Sequence, residues 1–212
     1  MQTLENLVQS VAQALASIDE DTAKFCAETQ ILCKPNCGAC CSKPNGVWTT
    51  VGEMLPMAWD LHRTGQQEDI LQKLESSNQN GVCALYDPND TDLAKGRCTA
   101  YTLRPTICRL FGSSSRSSKN GMREFLGCSW LKDQNRDINQ RVTALKDNKI
   151  ADSHNLTMKV RALLNSSELV QELPINVALA KALKLIAWSS YINNYCRTES
   201  SGPSPNVPDF SQ

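Results

Sequence analysis

The sequence carries no net charge and has no long apolar run. Its 212 residues contain 22 Lys and Arg against 22 Asp and Glu, so the whole-molecule charge gives no reason to expect a polyanionic partner. Apolar runs such as VALA at 177–180 and LIAW at 185–188 hold four residues, whereas a membrane span needs about 18 or more. We therefore expect neither a nucleic-acid partner nor a membrane segment.

The opening residues, MQTLENLVQS, lack the basic stretch and the apolar core of a secretory signal. We therefore expect a cytoplasmic protein whose thiols stay reduced. At about 150 residues per domain, the length predicts one domain with an extension. We expect a single cysteine-cluster domain over residues 1–197. The segment 198–212, with three prolines, four serines and a glycine, is predicted to be a disordered tail.

The expected fold class is mainly α, with a helical scaffold that encloses a loop-rich cysteine-cluster metal site. Residues 3–30 have apolar side chains at intervals of three and four, the period of an amphipathic helix. Residues 31–130 form the cysteine module, where Pro, Gly and Cys break that period. Within it, Thr50 and Glu53 have the spacing of a capping box that starts a helix. Helical periodicity returns over 131–197.

Ten cysteines are too many to be incidental core residues, and eight of them form two groups. Thiolates are soft ligands that suit zinc and iron–sulfur clusters. The first group has the spacing C-x3-C-x2-C-C, and the second is spread along the chain, so it must assemble in three dimensions. The predicted metal ligands are Cys33, Cys37, Cys40, Cys41, Cys83, Cys98, Cys108 and Cys128. Cys26 and Cys196 are interpreted as small buried residues.

Several chemistries are compatible with these cysteines. Four thiolates complete a tetrahedral zinc site or the corners of a [4Fe–4S] cluster, and eight indicate a polynuclear site or two adjacent sites. One alternative is a zinc staple that only joins loops to the scaffold. Disulfide pairing is another, although nothing in the sequence indicates export. A third is a redox or transfer enzyme that uses an activated thiolate, one that is not itself bound to metal.

Basic residues accompany the second cysteine group. Residues 97–149 contain eleven Lys and Arg against four Asp and Glu. Arg104 and Arg109 flank Cys108, so we expect them to bind the cofactor by offsetting thiolate charge, which would lower the thiol pKa values. Tyr101 is predicted to shield the cluster from water, with ordinary packing as the alternative. His62 is interpreted as a solvent-facing residue.

The cysteine motifs resemble a known family, the CxxCxxCC or YkgJ-like cysteine-cluster proteins of bacteria. The residues that carry the resemblance cover about 30–130. They are CKPNCGACC at 33–41, EMLPMA at 53–58, CALYD at 83–87, GRCTAYTLRPTICRLFG at 96–112, and Cys128. The resemblance implies a zinc- or iron-chelating domain.

Residue by residue, the resemblance implies a ligand role for six cysteines, and Cys33 and Cys83 also match. The six are Cys37, Cys40, Cys41, Cys98, Cys108 and Cys128. The family is also similar to the cysteine-rich part of flagellin lysine N-methylases, where a cluster is implicated in methyl transfer. We expect a metal or cluster protein that acts in electron transfer, cluster handling or methyl-group chemistry. The predicted cofactor is an iron–sulfur cluster of the [4Fe–4S] type, or Zn²⁺. It names no protein partner and leaves catalysis undecided.

Overall fold

The computed structural model describes residues 3–33, 37–43, 46–76, 81–89, 96–127, 129–145 and 150–200, and for 129–130 and 193–200 it describes the backbone. Within these ranges the protein is mainly helical, which confirms the predicted fold class. The helices are α1 (Leu4–Thr29), α2 (Val51–Arg63), α3 (Gln67–Ser76), α4 (Thr106–Leu110), α5 (Ser129–Gln134), α6 (Ile138–Thr143), α7 (Ser153–Arg161), α8 (Ser167–Val170) and α9 (Ile175–Ser200). The predicted tail lies outside the described residues from 201 onward.

The described residues also form pairs of short antiparallel strands between the helices. The strands are β1 (Trp48–Thr50), β2 (Tyr86–Asp87), β3 (Arg97–Cys98), β4 (Ser114–Ser117), β5 (Arg123–Leu126) and β6 (Glu172–Pro174). The pairs are β1 with β6, β2 with β3, and β4 with β5. The last two pairs are hairpins inside the module that was predicted to be loop-rich, so this part of the chain is more ordered by backbone hydrogen bonds than we expected.

Helix α1 forms because its apolar stripe has a core to pack against. The Thr3 hydroxyl accepts a hydrogen bond from Asn6 N at the start of the helix. The buried stripe runs from Leu7 to Phe25. At the end, Gln30 adopts a left-handed conformation (φ 56°), and its N–H donates to Cys26 O. The helix predicted over 3–30 is therefore present with ordinary caps at both ends.

Helix α2 lies at the centre of the fold, and residues 51–58 along it are all buried. It packs against α1 on one side and against the buried stripe of α9 on the other. Pairing of β1 with β6 brings the starts of α2 and α9 together, and Ile175 N donates to Val47 O beside that pair. In the part of the chain that the structure describes, no helix combines the length and the hydropathy needed to span a membrane.

The predicted capping box at the start of α2 is half right. Glu53 N donates to the Thr50 hydroxyl (3.2 Å), as expected for an N-cap. The Glu53 side chain, in contrast, is 3% exposed and accepts from the Thr49 hydroxyl (3.0 Å) and from Thr106 N (3.1 Å). Glu53 therefore fastens the first turn of α4 to α2, a long-range contact that local spacing cannot reveal.

Candidate metal centre

The first cysteine loop lies on the β2–β3 hairpin. Gly38 N donates to Gly96 O (3.0 Å), and Cys37 forms an antiparallel bridge with Arg97. The loop then turns tightly, because Cys41 N donates to Gly38 O (2.9 Å). These backbone hydrogen bonds orient the end of the loop toward the residues around the hairpin.

Gly38 is required by the close approach of the two backbones. A Cβ at this position would lie 2.6 Å from a ring carbon of Tyr86 and 2.9 Å from Arg97 N. Because backbone atoms cannot yield as a flexible side chain can, any larger residue must push the loop away from the hairpin.

We predict that Gly38→Ala lowers the free energy of unfolding by about 2 kcal/mol, the usual cost of overpacking, and lowers Tm by about 4–8 °C. Thermal and denaturant unfolding measure the loss. Gly46→Ala is the matched control, since its new Cβ meets its neighbours less closely, with Lys43 Cβ at 3.0 Å and Lys43 O at 3.2 Å, and it should lose less stability. A Gly38→Ala protein as stable as this control would contradict the prediction.

Three cysteine thiols meet where the loop contacts the hairpin. Cys41 hydrogen-bonds through its side chain to both Cys83 and Cys98. The backbone supports the contact, because Cys83 N donates to Cys41 O (3.1 Å). Cys98 belongs to β3, and Tyr86 lies opposite it in β2. Thiols that are 42 and 57 residues from Cys41 along the chain are thus brought to one place.

Helix α4 brings a fourth segment to this place. The thiol of Cys108 interacts electrostatically with Cys41, Cys40 and Cys98. Cys40, Cys41, Cys83, Cys98 and Cys108 are together called the thiol cluster below. Their sulfurs come from the loop, the segment before β2, strand β3 and helix α4, as expected from the wide spacing of these cysteines in the sequence.

Asn176, at the start of α9, fixes the backbone around Cys83 of the thiol cluster. Its amide nitrogen donates to Val82 O (2.9 Å), and its amide oxygen accepts from Ala84 N (2.9 Å). Asn176 is 1% exposed, so both bonds are shielded from water. They hold the backbone on each side of Cys83. This role could not be predicted, because nothing near Asn176 in the sequence points to a partner more than 90 residues away.

Arg104 is the cation beside the cluster. Its guanidinium donates to Tyr101 O (2.7 Å) and to Cys108 O (3.2 Å). The guanidinium carbon also lies 3.4 Å from the centroid of the Tyr101 ring, which is cation–π geometry. Tyr101 therefore holds Arg104 in position as well as covering it.

The side chain of Arg109 contacts α1 and the turn before α4. It forms an ion pair with Asp19 of α1, and its other donors bind Arg104 O (2.7 Å) and Thr102 O (2.6 Å). At 6% exposure it is a buried structural link. Of the two arginines expected to offset thiolate charge, the structure places Arg104 at the cluster and Arg109 in the joint between α1 and the turn before α4.

The thiol pKa values are raised rather than lowered. The hydrogen bond with Cys83 is the main cause that raises the pKa of Cys41 to about 12. The pKa of Cys98 is raised chiefly by its hydrogen bond with Cys41, and that of Cys108 chiefly by burial. Arg104 lowers all three values, but burial and neighbouring thiols outweigh it. The expectation of lowered thiol pKa values is therefore wrong.

The thiols of the thiol cluster are chemically suited to bind a metal cation. Neighbouring buried thiols cannot ionise together without a compensating positive charge, and a soft metal ion supplies that charge as it binds the thiolates. Arg104 contributes one further positive charge. Among the described residues, however, no group of three or more His, Cys, Asp or Glu side chains has an arrangement that could hold a metal ion as it stands.

The other predicted site residues have separate places. Cys33 lies against Gly112, where an added Cβ would be 3.5 Å from its sulfur. Cys37 is held at the hairpin by its bridge to Arg97. Cys128 lies outside the described residues. His62 is hydrogen-bonded to Gln67 (2.6 Å) at the end of α2 and is half-buried rather than solvent-facing. The thiol cluster therefore contains five of the eight predicted ligands.

Comparison with known proteins identifies the family. The chain matches a family model described as "CxxCxxCC: Putative zinc- or iron-chelating domain" over residues 32–147, just over half of its length. No curated protein and no solved structure matches the chain. The matched range includes all five cysteines of the thiol cluster, and the description supports metal binding. The chain belongs to the CxxCxxCC family.

Proposed function

We propose that the protein binds an iron–sulfur cluster through the thiol cluster and uses it in electron transfer or in the handling of clusters. The observation that carries this proposal is the pair of thiol hydrogen bonds that Cys41 makes with Cys83 and Cys98. Buried thiols from distant segments rarely meet unless they share a ligand or form a disulfide, and no disulfide joins the described cysteines. A shared metal centre is the simplest reason for this arrangement.

Two features favour a polynuclear centre over a single zinc ion. The thiol cluster links five thiols through Cys41 and Cys108, and a tetrahedral zinc ion uses four ligands. A cluster with several thiolates carries net negative charge, which the Arg104 guanidinium would offset at the position where the structure has it. By resemblance, Cys33, Cys37 and Cys128 complete the proposed ligand set. An iron–sulfur cluster supplies one-electron chemistry when bound.

Anaerobic purification with elemental and sulfide analysis tests this proposal. We expect a brown protein with bound iron, acid-labile sulfide and an absorption band at about 400 nm. The band should disappear when the iron is chelated. A colourless protein that contains only zinc would overturn the iron–sulfur assignment. A protein without any metal after anaerobic reconstitution would overturn metal binding itself.

A zinc staple is the second candidate function, and one observation favours it. The thiol cluster joins four short segments of the chain: the loop, the segment before β2, strand β3 and helix α4. A structural zinc ion contributes folding free energy at such a junction. This candidate predicts a colourless protein whose unfolding transition moves to much lower temperature in chelator, with no redox response.

The proposal places the protein in a reducing compartment such as the cytoplasm. No disulfide joins the eight cysteines whose side chains the structure describes, and thiols this close together would be oxidised in an exporting compartment. We also propose that residues 1–197 act as one domain, because α2 packs against both α1 and α9, which lie at opposite ends of this range.

We predict that Arg104→Ala weakens metal binding about tenfold, within the range for partners that orient ligands. The change removes the hydrogen bond to Cys108 O and the charge beside the cluster. Competition with a chromogenic chelator measures the affinity. Arg104→Lys is the matched control, since it keeps the charge but loses the paired carbonyl contacts, so it should recover only part of the affinity. Wild-type affinity in Arg104→Ala would contradict the prediction.

A further inference from the structure

A groove between α3 and α9 has a volume of about 400 Å³ and is not explained by the metal centre. On α9, Lys184, Trp188 and Tyr191 are four and three residues apart, so they share one helix face. Gln67 and Leu71 of α3 form the opposite wall. None of these residues belongs to the thiol cluster, so the groove needs a separate explanation.

Aromatic side chains are exposed at this groove. Trp188 and Tyr191 are each 62% exposed, and Ile192, the next residue of α9, is 41% exposed. The Trp188 and Tyr191 rings stack, with centroids 6.1 Å apart and planes 23° from parallel. An exposed aromatic surface of this kind usually marks an interaction site, because its burial on association is favourable.

The two walls of the groove carry opposite charges. The exposed acidic residues of α3 are Glu68, Asp69 and Glu75. They outnumber the one basic residue of α3, Lys73. Over residues 175–192, α9 has Lys181 and Lys184 and no acidic residue. Within the described ranges, no ion pair joins Glu75 or Lys184 to another side chain. A surface that carries both signs beside an aromatic patch can be complementary to a second copy of itself.

Helices α3 and α9 run in opposite directions along the groove. Near the end of α3, Lys73 Nζ donates to Ala84 O (2.5 Å). At the start of α9, the Asn176 side chain accepts from Ala84 N (2.9 Å). The end of α3 therefore lies near the start of α9. Gln67, at the start of α3, lines the groove together with Tyr191, which lies far along α9.

We propose that two copies of this chain associate through the α3–α9 face, with a two-fold axis that runs along the groove. The inference goes beyond the proposed metal function. An axis in this direction places α9 of each copy over α3 of the other, so the basic wall meets the acidic wall twice. The Trp188 ring of each copy packs into the groove of the other.

The antiparallel helices also indicate which charges meet across the axis. Leu71 lies opposite the stretch of α9 from Lys184 to Trp188. Glu75 is four residues, about 6 Å, beyond Leu71 toward the start of α9. This is near the level of Lys184. Because rotation about an axis along the groove keeps these levels, Glu75 of one copy faces Lys184 of the other at two equivalent contacts.

Sedimentation of the full chain with its metal bound, under reducing conditions that prevent disulfides between copies, tests the proposal. We expect a monomer–dimer equilibrium with a Kd in the micromolar range, as is usual for a small interface. Trp188→Ala should raise this Kd about 30-fold, because a buried aromatic residue is the typical anchor of an interface. Met158→Ala, which removes an exposed apolar side chain of α7, is the matched control and should leave the Kd unchanged.

Two results of this experiment would overturn the proposal. One is a full chain that remains monomeric at submillimolar concentration. The other is a dimer that Trp188→Ala leaves as tight as Met158→Ala does. A monomer whose Trp188 is nevertheless shielded from acrylamide would show that another part of the same chain covers the groove, and the proposal would again be wrong.

A charge exchange tests the arrangement of the two copies. Lys184→Glu and Glu75→Lys should each raise the Kd about tenfold, because each brings like charges together at two contacts. Combining them should restore the wild-type Kd. A combined variant that dimerises no better than the single variants would overturn the proposed axis. The readout is the association state and not metal content, so failure here leaves the proposed function untouched.

Discussion

Replacing Cys41 with serine should abolish stable metal binding. The Cys41 side chain hydrogen-bonds to two other cysteines of the thiol cluster, Cys83 and Cys98, and it also interacts with Cys108. Losing a residue that merely orients a ligand weakens metal affinity about 10- to 100-fold. We expect the loss of a central ligand to exceed about 100-fold.

Metal content after anaerobic reconstitution and dialysis measures this loss. Cys26→Ser is the matched control, because Cys26 is a cysteine of α1 whose thiol hydrogen-bonds to Ser113, outside the thiol cluster. It should retain the wild-type metal content. Full occupancy in Cys41→Ser would show that the metal is held elsewhere and would refute the proposed ligand set.

Replacing Glu53 with alanine should destabilise the fold even more than Gly38→Ala does. The carboxylate is buried and accepts hydrogen bonds from the Thr49 hydroxyl and from Thr106 N. Removing it leaves both donors buried without their acceptor, at a cost of about 1–3 kcal/mol for each. We expect the free energy of unfolding to fall by about 3 kcal/mol.

Urea denaturation of the metal-free protein measures this loss. Glu53→Gln is the matched control, because its amide oxygen can still accept a hydrogen bond, and we expect it to lose about 1 kcal/mol. If Glu53→Ala were as stable as Glu53→Gln, the contact between α2 and α4 would contribute little to the fold.

The pH dependence of stability gives a second test of Glu53. Burial is the main cause that raises the pKa of this carboxyl above its usual value near 4.5, while the hydrogen bonds and Arg161 lower it. The folded protein therefore keeps the proton to higher pH than the unfolded chain does. The Glu53 contribution to stability is full below about pH 4.5 and falls as the pH rises through the folded-state pKa. Stability of Glu53→Gln should fall less over that range.

The helices could be predicted because their signals are local. The buried stripe of α1 from Leu7 to Phe25 follows the 3.6-residue period of the sequence, and the Thr3 cap lies next to it. The capping residue Thr50 was recognised for the same reason. The hairpins β2–β3 and β4–β5 were missed, because each strand has only two to four residues and shows no alternation of polar and apolar side chains.

The candidate site was only partly predictable. Its residue types could be read from the cysteine spacing, and the convergence of Cys41 with Cys98 and Cys108 follows that expectation. The orientation of Arg109 toward Asp19 could not be predicted, because it depends on how α1 packs beside α4. The predicted direction of the shift in the thiol pKa values was wrong for a similar reason. Burial depends on the assembled fold, whereas the nearby positive charges are visible in the sequence.

The contact between Asn176 and the backbone around Cys83 has a consequence for protein synthesis. Asn176 follows Val82 by 94 residues, and a ribosome that adds about 5–20 residues per second needs about 5–19 s to travel that distance. Throughout that interval Cys83 is already made, but the residue that fixes its backbone does not yet exist. We therefore expect metal delivered to the nascent chain to exchange freely, and to become trapped only after translation has passed the beginning of the last helix.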